Sequence, residues 1–266
     1  MKKYGFKIIT TGIISAIMAT LLSSCFDDPE FADTPRIEFS NIIYKEQGGD
    51  NPFDSLILTI NFEDGDGDLG LEGEENTPPY NERNYFSNKT GDFFNFGVES
   101  IEDLLILADT AVTDTLPPYL NNDEACLFWD EAPQINVIDQ DGNSVPLDTI
   151  TYYQLNERHN NIYIRFFTDQ NNDGQIDELT EEFDWRLIND DCSFDYNGRF
   201  PVLSDDLGNP SPLEGSITQN MVQQGPFPFF LGDGLVKLKI YILDRAGNRS
   251  NVVETPEFTL SEIKAN

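Results

Sequence analysis

Apolar positions in this chain come in short runs broken by turn residues, and the runs are rich in β-branched and aromatic side chains. Residues 36–44 (RIEFSNIIY) and 55–63 (SLILTINFE) flank QGGDNP, which is turn chemistry. Residues 134–139 (QINVID) lead into QDGN, a turn with Asp-Gly at its centre. DTITYYQL (148–155) and NIYIRFFT (161–168) follow, separated by the polar NERHNN. FDWRLI (183–188), LEGSITQNM (213–221), LVKLKIYIL (235–243) and NVVETPEFTL (251–260) complete the set. In LVKLKIYIL the lysines alternate with apolar residues, as in a strand with one wet face. The pattern predicts an all-β protein built as an antiparallel sandwich. The one helix signal is SIEDLLILAD (100–109), with Ser100 as cap and Asp103 three residues on, although its nearly continuous apolar residues suit a strand equally. Residues 64–132 are rich in Asn, Pro and Gly and read as an insertion between strands that would otherwise be neighbours.

The N-terminus follows a different pattern. MKKYGFK is positively charged, and the fifteen apolar-rich residues IITTGIISAIMATLL are too few for a membrane span of about 20. They end in LSSC, residues 22–25, which resembles the lipobox of bacterial lipoproteins. The resemblance implies a signal peptide over 1–24, cleavage before Cys25, and lipid on its thiol. The acidic FDDPEFADTP behind Cys25 resembles the surface-export signal of Bacteroidota lipoproteins. With Pro29, Pro35 and few apolar residues, 25–35 reads as a tether. The expected location is the outer membrane, lipid-anchored and facing the cell surface, with lipid as the only membrane attachment. The folded body is expected over 36–263.

Charge narrows the partners. The chain has 16 Lys+Arg against 48 Asp+Glu, a net −32. Loss of Lys2, Lys3 and Lys7 with the leader takes this to −35. Such a field argues against nucleic acid and against contact with anionic lipid, and it attracts cations. Cys126 and Cys192 remain after Cys25, and outside the cytoplasm an even pair reads as a disulfide. Closing a loop of that length is worth about 4 kcal/mol in the chain-entropy model.

Near the C-terminus, KIYILDRAGNRSNVVETPEF resembles the closing hairpin of bacterial immunoglobulin-like domains, through Asp244, Ala246, Gly247 and Asn248. With LTINFEDGDGDLGL and LEGSI, the layout resembles uncharacterised Bacteroidota surface lipoproteins with one Ig-like sandwich. That resemblance implies a fold and a location but no reaction.

Two acidic loops suit calcium. In NFEDGDGDLGLEGEEN, Asp64, Asp66 and Asp68 alternate with glycines that let the backbone curl, so carboxylates can converge as hard oxygen ligands. Glu75 is the candidate for a further, bidentate ligand. A solvated acidic turn explains the same residues. The second loop, DQNNDGQIDELTEE, resembles an EF-hand calcium loop, with Asp169, Asn171, Asp173, Gly174, Gln175 and Asp177 in the first, third, fifth, sixth, seventh and ninth places. Its twelfth place holds Thr180, and Glu181 comes one residue late, as in calcium loops outside paired EF-hands. Extracellular sites of this kind bind at roughly 10⁻⁴–10⁻³ M, so the ion would be structural. DQDGN (139–143) is explained by an Asp-Gly hairpin alone.

Catalytic signals are thin. The single histidine, His159, sits in a polar turn, and neither a nucleophile elbow nor a phosphate loop occurs. The expected role is a calcium-stabilised binding or accessory module, partnered by another outer-membrane or surface protein. A glycan-binding lipoprotein is the alternative, because NYFSNKTGDFFNFG (84–97) and GPFPFFLGDG (225–234) put rings in loops, where they either meet sugars or fold back to cap the core. A hydrolase using a carboxylate pair is the remaining reading.

Overall fold

Period-two patterning produces one sheet from the three longest strands. β1 (Arg36–Lys45) and β10 (Leu213–Gln223) flank β2 (Asp54–Asp64), both antiparallel to it. A second sheet has the order β12 (Val253–Glu254), β11 (Val236–Ile242), β8 (Ile162–Thr168) and β9 (Glu182–Phe183). A third places β7 (Ile150–Leu155) between β3 (Arg83–Tyr85) and β4 (Phe128–Glu131). β5 (Asn136–Ile138) and β6 (Ser144–Pro146) pair as a small ribbon. This is a computed structural model, and it describes residues 30–46, 48, 53–95, 98–105, 128–131, 136–138, 144–146, 150–188, 194–223 and 226–265. The ladders between these strands are antiparallel throughout, and among the described residues helix is almost absent, so the described fold is all-β. The chain divides into Met1–Phe31 and Ala32–Asn266, and the described strands lie in the second unit. Cys25, Cys126 and Cys192 lie outside the described residues.

Register explains which residues are buried. In β1 the inward positions are Ile37 and Phe39 before a bulge, and Ile42 and Tyr44 after it; the extra residue between Phe39 and Asn41 flips the parity. In β8 and β11 the even-numbered residues face inward: Ile162, Ile164 and Phe166 on one, Val236, Leu238, Ile240 and Ile242 on the other. These side chains and the inward row of β2 form one hydrophobic core, so the first two sheets share an interior. The odd positions of β8 and β11 form the opposite face, where Tyr163 and Phe167 are also buried, Arg165 is exposed, and Glu178 pairs with both Lys237 and Lys239.

Local structure departs from expectation in several places, and NVVETPEFTL (251–260) keeps only the two-residue β12. FDWRLI yields only a two-residue strand before a 3-10 turn at Trp185–Leu187. Trp185 is buried there, with Phe166, Phe183, Tyr196, Phe227 and Phe230 around it, and aromatic packing takes precedence over extended backbone. Of the stretch read as a helix, 100–109, the described part is a 3-10 turn at Ile101–Asp103, without a side-chain cap bond, followed by the buried Leu104 and Leu105; 106–109 lie outside the described residues. In the aromatic loop near Pro228 a short helix, α1 (Phe227–Leu231), forms instead. The 64–132 segment is not all loop, since β3 and β4 lie within it and both pair with β7. Among the described residues no helix is long and apolar enough to cross a membrane.

Candidate metal centre

The inward row of β2 runs Asp54, Leu56, Leu58, Ile60, Phe62, Asp64, so an apolar stripe ends in a carboxylate at each side. Both aspartates are 0% exposed. Asp54 is satisfied: its Oδ2 accepts the Tyr44 hydroxyl at 2.6 Å and the Phe227 N–H at 2.7 Å. Burial first, and then this carboxylate, push the Tyr44 hydroxyl well above its ordinary pKa. Asp64 has no comparable partners. Neither of its oxygens takes a hydrogen bond of acceptable geometry, and the one amide near enough to favour its charge, that of Asp68, is the smallest influence on it.

The alternation continues past the strand end. Oxygens of Asp64, Asp66 and Asp68 lie within 4.8 Å of one another, and no other three acidic, His or Cys side chains do so among the described residues. Asp66 Oδ1 is likewise buried without a partner. Burial, followed by the charges of Asp66, Asp68 and Asp244, raises the Asp64 pKa from 3.8 to about 7. Burial and the charges of Asp244 and Asp66 raise Asp68 to about 6, against the lowering effect of the Arg245 and Ala246 amides. An isolated buried carboxylate avoids its desolvation penalty by taking up a proton or a cation.

The loop holds this geometry through its backbone. Gly65 N–H donates to the Ala32 carbonyl at 2.8 Å, Ser211 N–H to Asp66 at 3.2 Å, Leu203 N–H to Leu69 at 3.0 Å, and Leu71 N–H to Phe200 at 3.1 Å. Leu69 and Leu71 are buried and pin the segment to the core. Gly67 (φ 69°) and Gly70 (φ 103°) sit in the left-handed region, and a Cβ on them would meet the Ser211 carbonyl at 2.3 Å and the Pro201 carbonyl at 2.2 Å. Only glycine combines that backbone with that closeness.

Glu75 does not join the three aspartates. Arg245 Nη1 and Nη2 reach its two oxygens at 2.8 and 2.5 Å, and the Glu72 N–H donates to Oε2 at 2.8 Å. That fork, first through its hydrogen bonds, holds the Glu75 carboxyl at about 2. The guanidinium also donates to the Gly70 carbonyl at 3.1 Å and lies over the Tyr80 ring. Arg199 steadies the same segment by donating to the carbonyls of Glu72, Glu75 and Tyr80 at 3.1, 3.0 and 2.8 Å.

The second loop is closed by its own amides. Asp169 accepts from Asp173 N–H at 3.0 Å and Gly174 N–H at 2.8 Å, Asn171 from Asp173 N–H at 2.8 Å, and Asp173 from Gln175 N–H at 2.9 Å. Asp177 accepts from Leu179 N–H at 3.0 Å, and the buried Glu181 from Asn171 and Asp177 N–H at 3.3 and 2.7 Å. Asn172 (φ 58°) and Gly174 (φ 83°) supply the tight bend. Asp169, Asp173, Asp177 and Glu181 do not gather as the first loop's carboxylates do.

The loop aromatics divide. Phe86, Phe94 and Phe227 are buried, while Phe93 is 55% and Phe229 81% exposed. A cleft of about 600 Å³ beside β8 has Tyr163, Tyr241, Arg165 and Arg186 in its lining. Its Tyr241 ring lies between Tyr163, stacked at 4.7 Å, and Arg249, 3.7 Å from its centroid; both arginines pair with carboxylates, Arg165 with Glu182 and Arg186 with Asp184. Comparison of the chain with protein-family models, curated proteins and solved structures found no match.

Proposed function

We propose that the protein is a lipid-anchored binding or accessory module of the outer cell surface, an Ig-like sandwich stabilised by a hard divalent cation. The unpartnered, wholly buried Asp64 within a group of three carboxylates carries the cation reading. Oxygen donors in a curled loop suit Ca²⁺, which takes roughly 6–8 of them, and the group holds no thiol or imidazole for a softer metal. The expected partner is another outer-membrane or surface protein, reached from the acylated Cys25. Glycan binding is the second reading, favoured by the exposure of Phe229 and Phe93. The role is binding rather than catalysis.

Two measurements test this. Ten millimolar calcium should raise the melting temperature of the purified protein above its value in EGTA, by about 3–10 °C, since a ligand at roughly 10–100 times its Kd adds about 1.4–2.7 kcal/mol. Equal melting temperatures together with no calorimetric heat would remove the cation. For the anchor, Cys25→Ala should move the protein from the membrane to the soluble fraction, and continued membrane partitioning would refute acylation at that residue.

A further inference from the structure

Asp64 ends β2, in the first sheet, with Asp66 and Asp68 in the loop that leaves it, while another turn follows β11 of the second sheet. The two are stitched together at Asp68. Its carbonyl accepts the Arg245 N–H at 3.2 Å, and its Oδ1 and Oδ2 accept the N–H groups of Arg245 and Ala246 at 3.3 and 3.0 Å. This brings the preceding residue, Asp244, near enough for its charge to act on both Asp64 and Asp68, while its oxygens stay outside the 4.8 Å group of three, a gap that an ion would close. Asp244 is 5% exposed, and each of its oxygens accepts one hydrogen bond from Asn248, from N–H and Nδ2, both at 2.7 Å. A carboxylate oxygen has a second lone pair, so both remain able to ligate. The nearby Arg245 guanidinium is committed to Glu75 and offers Asp244 nothing.

We propose that Asp244 completes a divalent-cation site with Asp64, Asp66 and Asp68, so that one ion fastens the end of β2 to the turn after β11 and clasps the two sheets together. The proposal rests on the cation reading above and adds its ligand from the second sheet. The ion would replace, at this edge of the core, the hydroxyl and amide donors that Asp54 has and Asp64 lacks. Like-charged carboxylates from two sheets repel, and a bound cation reverses the sign of that contact. Asp244 takes the place expected of Glu75, which serves instead as the counter-ion of Arg245.

Calcium titration calorimetry on the purified wild type, Asp244→Asn and Glu75→Gln tests this. Asp244→Asn should weaken binding at least 10-fold, with Glu75→Gln within about twofold of wild type. Wild-type binding that survives Asp244→Asn within twofold overturns the clasp but leaves the calcium reading intact. No binding by wild type overturns the calcium reading and the clasp with it. A loss of equal size in Glu75→Gln also overturns the assignment. Because Asp244→Asn could weaken the fold, the wild type supplies a second readout. The Asn248 N–H resonance should shift on calcium addition and saturate along the same curve as the Gly65 and Gly67 amides. An unmoved Asn248 overturns the proposal.

Discussion

In metal-free buffer at pH 8, Asp64→Asn raises the melting temperature and Asp54→Asn lowers it. The same substitution acts on the same strand face, on two carboxylates that are equally buried. The sign differs because their partners differ. Asp54 receives a hydroxyl and an amide, so neutralising it trades charge-assisted bonds for ordinary ones and loses about 1–3 kcal/mol. Asp64 receives no hydrogen bond and stands among other carboxylates. Removing its charge relieves both the desolvation and the repulsion. The amide that replaces it is still buried and retains part of the desolvation cost, leaving a gain of about 2 kcal/mol. For a chain of this size each kcal/mol corresponds to about 2–4 °C. In millimolar calcium the order inverts, because wild type gains the ion and Asp64→Asn does not. A metal-free Asp64→Asn protein that melts below wild type, or one that keeps the full calcium response, would show that the Asp64 charge is already balanced from within the protein.

Much of this contrast is legible in the residues. The alternation in SLILTINFE places Leu56, Leu58, Ile60 and Phe62 on one face, and continuing it by two places Asp64 on the same face. Strands β1, β2, β8, β10 and β11 follow their hydrophobic runs closely because each has an inward row long enough to set its register. What stays illegible depends on distant residues. Nothing near Glu75 announces Arg245, 170 positions away, whose fork removes that glutamate from the carboxylate group. Asp244 reads as the first residue of a tight turn, and only pairing between sheets brings it beside Asp68. The second loop has the better spacing for calcium, yet spacing cannot say whether its oxygens are free. They accept their own loop's amides, which leaves lone pairs, but they do not converge, whereas the poorer match gathers three carboxylates and holds the unpartnered pair on Asp64. FDWRLI fails as a strand because Trp185 is drawn into an aromatic cluster assembled from four separate segments.

Acidification stabilises the metal-free protein, an unusual direction for so acidic a chain. Between pH 7.5 and 5 its melting temperature should rise by on the order of 10 °C. The sign follows from proton uptake. Asp64 titrates near 3.8 when exposed and at about 7 when folded, chiefly through burial, and Asp68 at about 6. Between those values the folded state binds more protons than the unfolded chain, so stability falls as pH rises and the penalty is complete above about pH 7. For Asp64 alone, a rise from 3.8 to about 7 corresponds to about 4 kcal/mol. The Glu75–Arg245 fork acts oppositely, but with its carboxyl held at about 2 its contribution is lost only as pH falls below about 4.5, outside this window. Calcium abolishes the trend, because a bound cation favours the ionised carboxylates and proton uptake then expels it. Melting curves at fixed ionic strength, in EGTA and in calcium, separate the two cases. Metal-free stability that declines from pH 7.5 to 5 would mean that the carboxylates at the end of β2 are paired within the protein and need no ion.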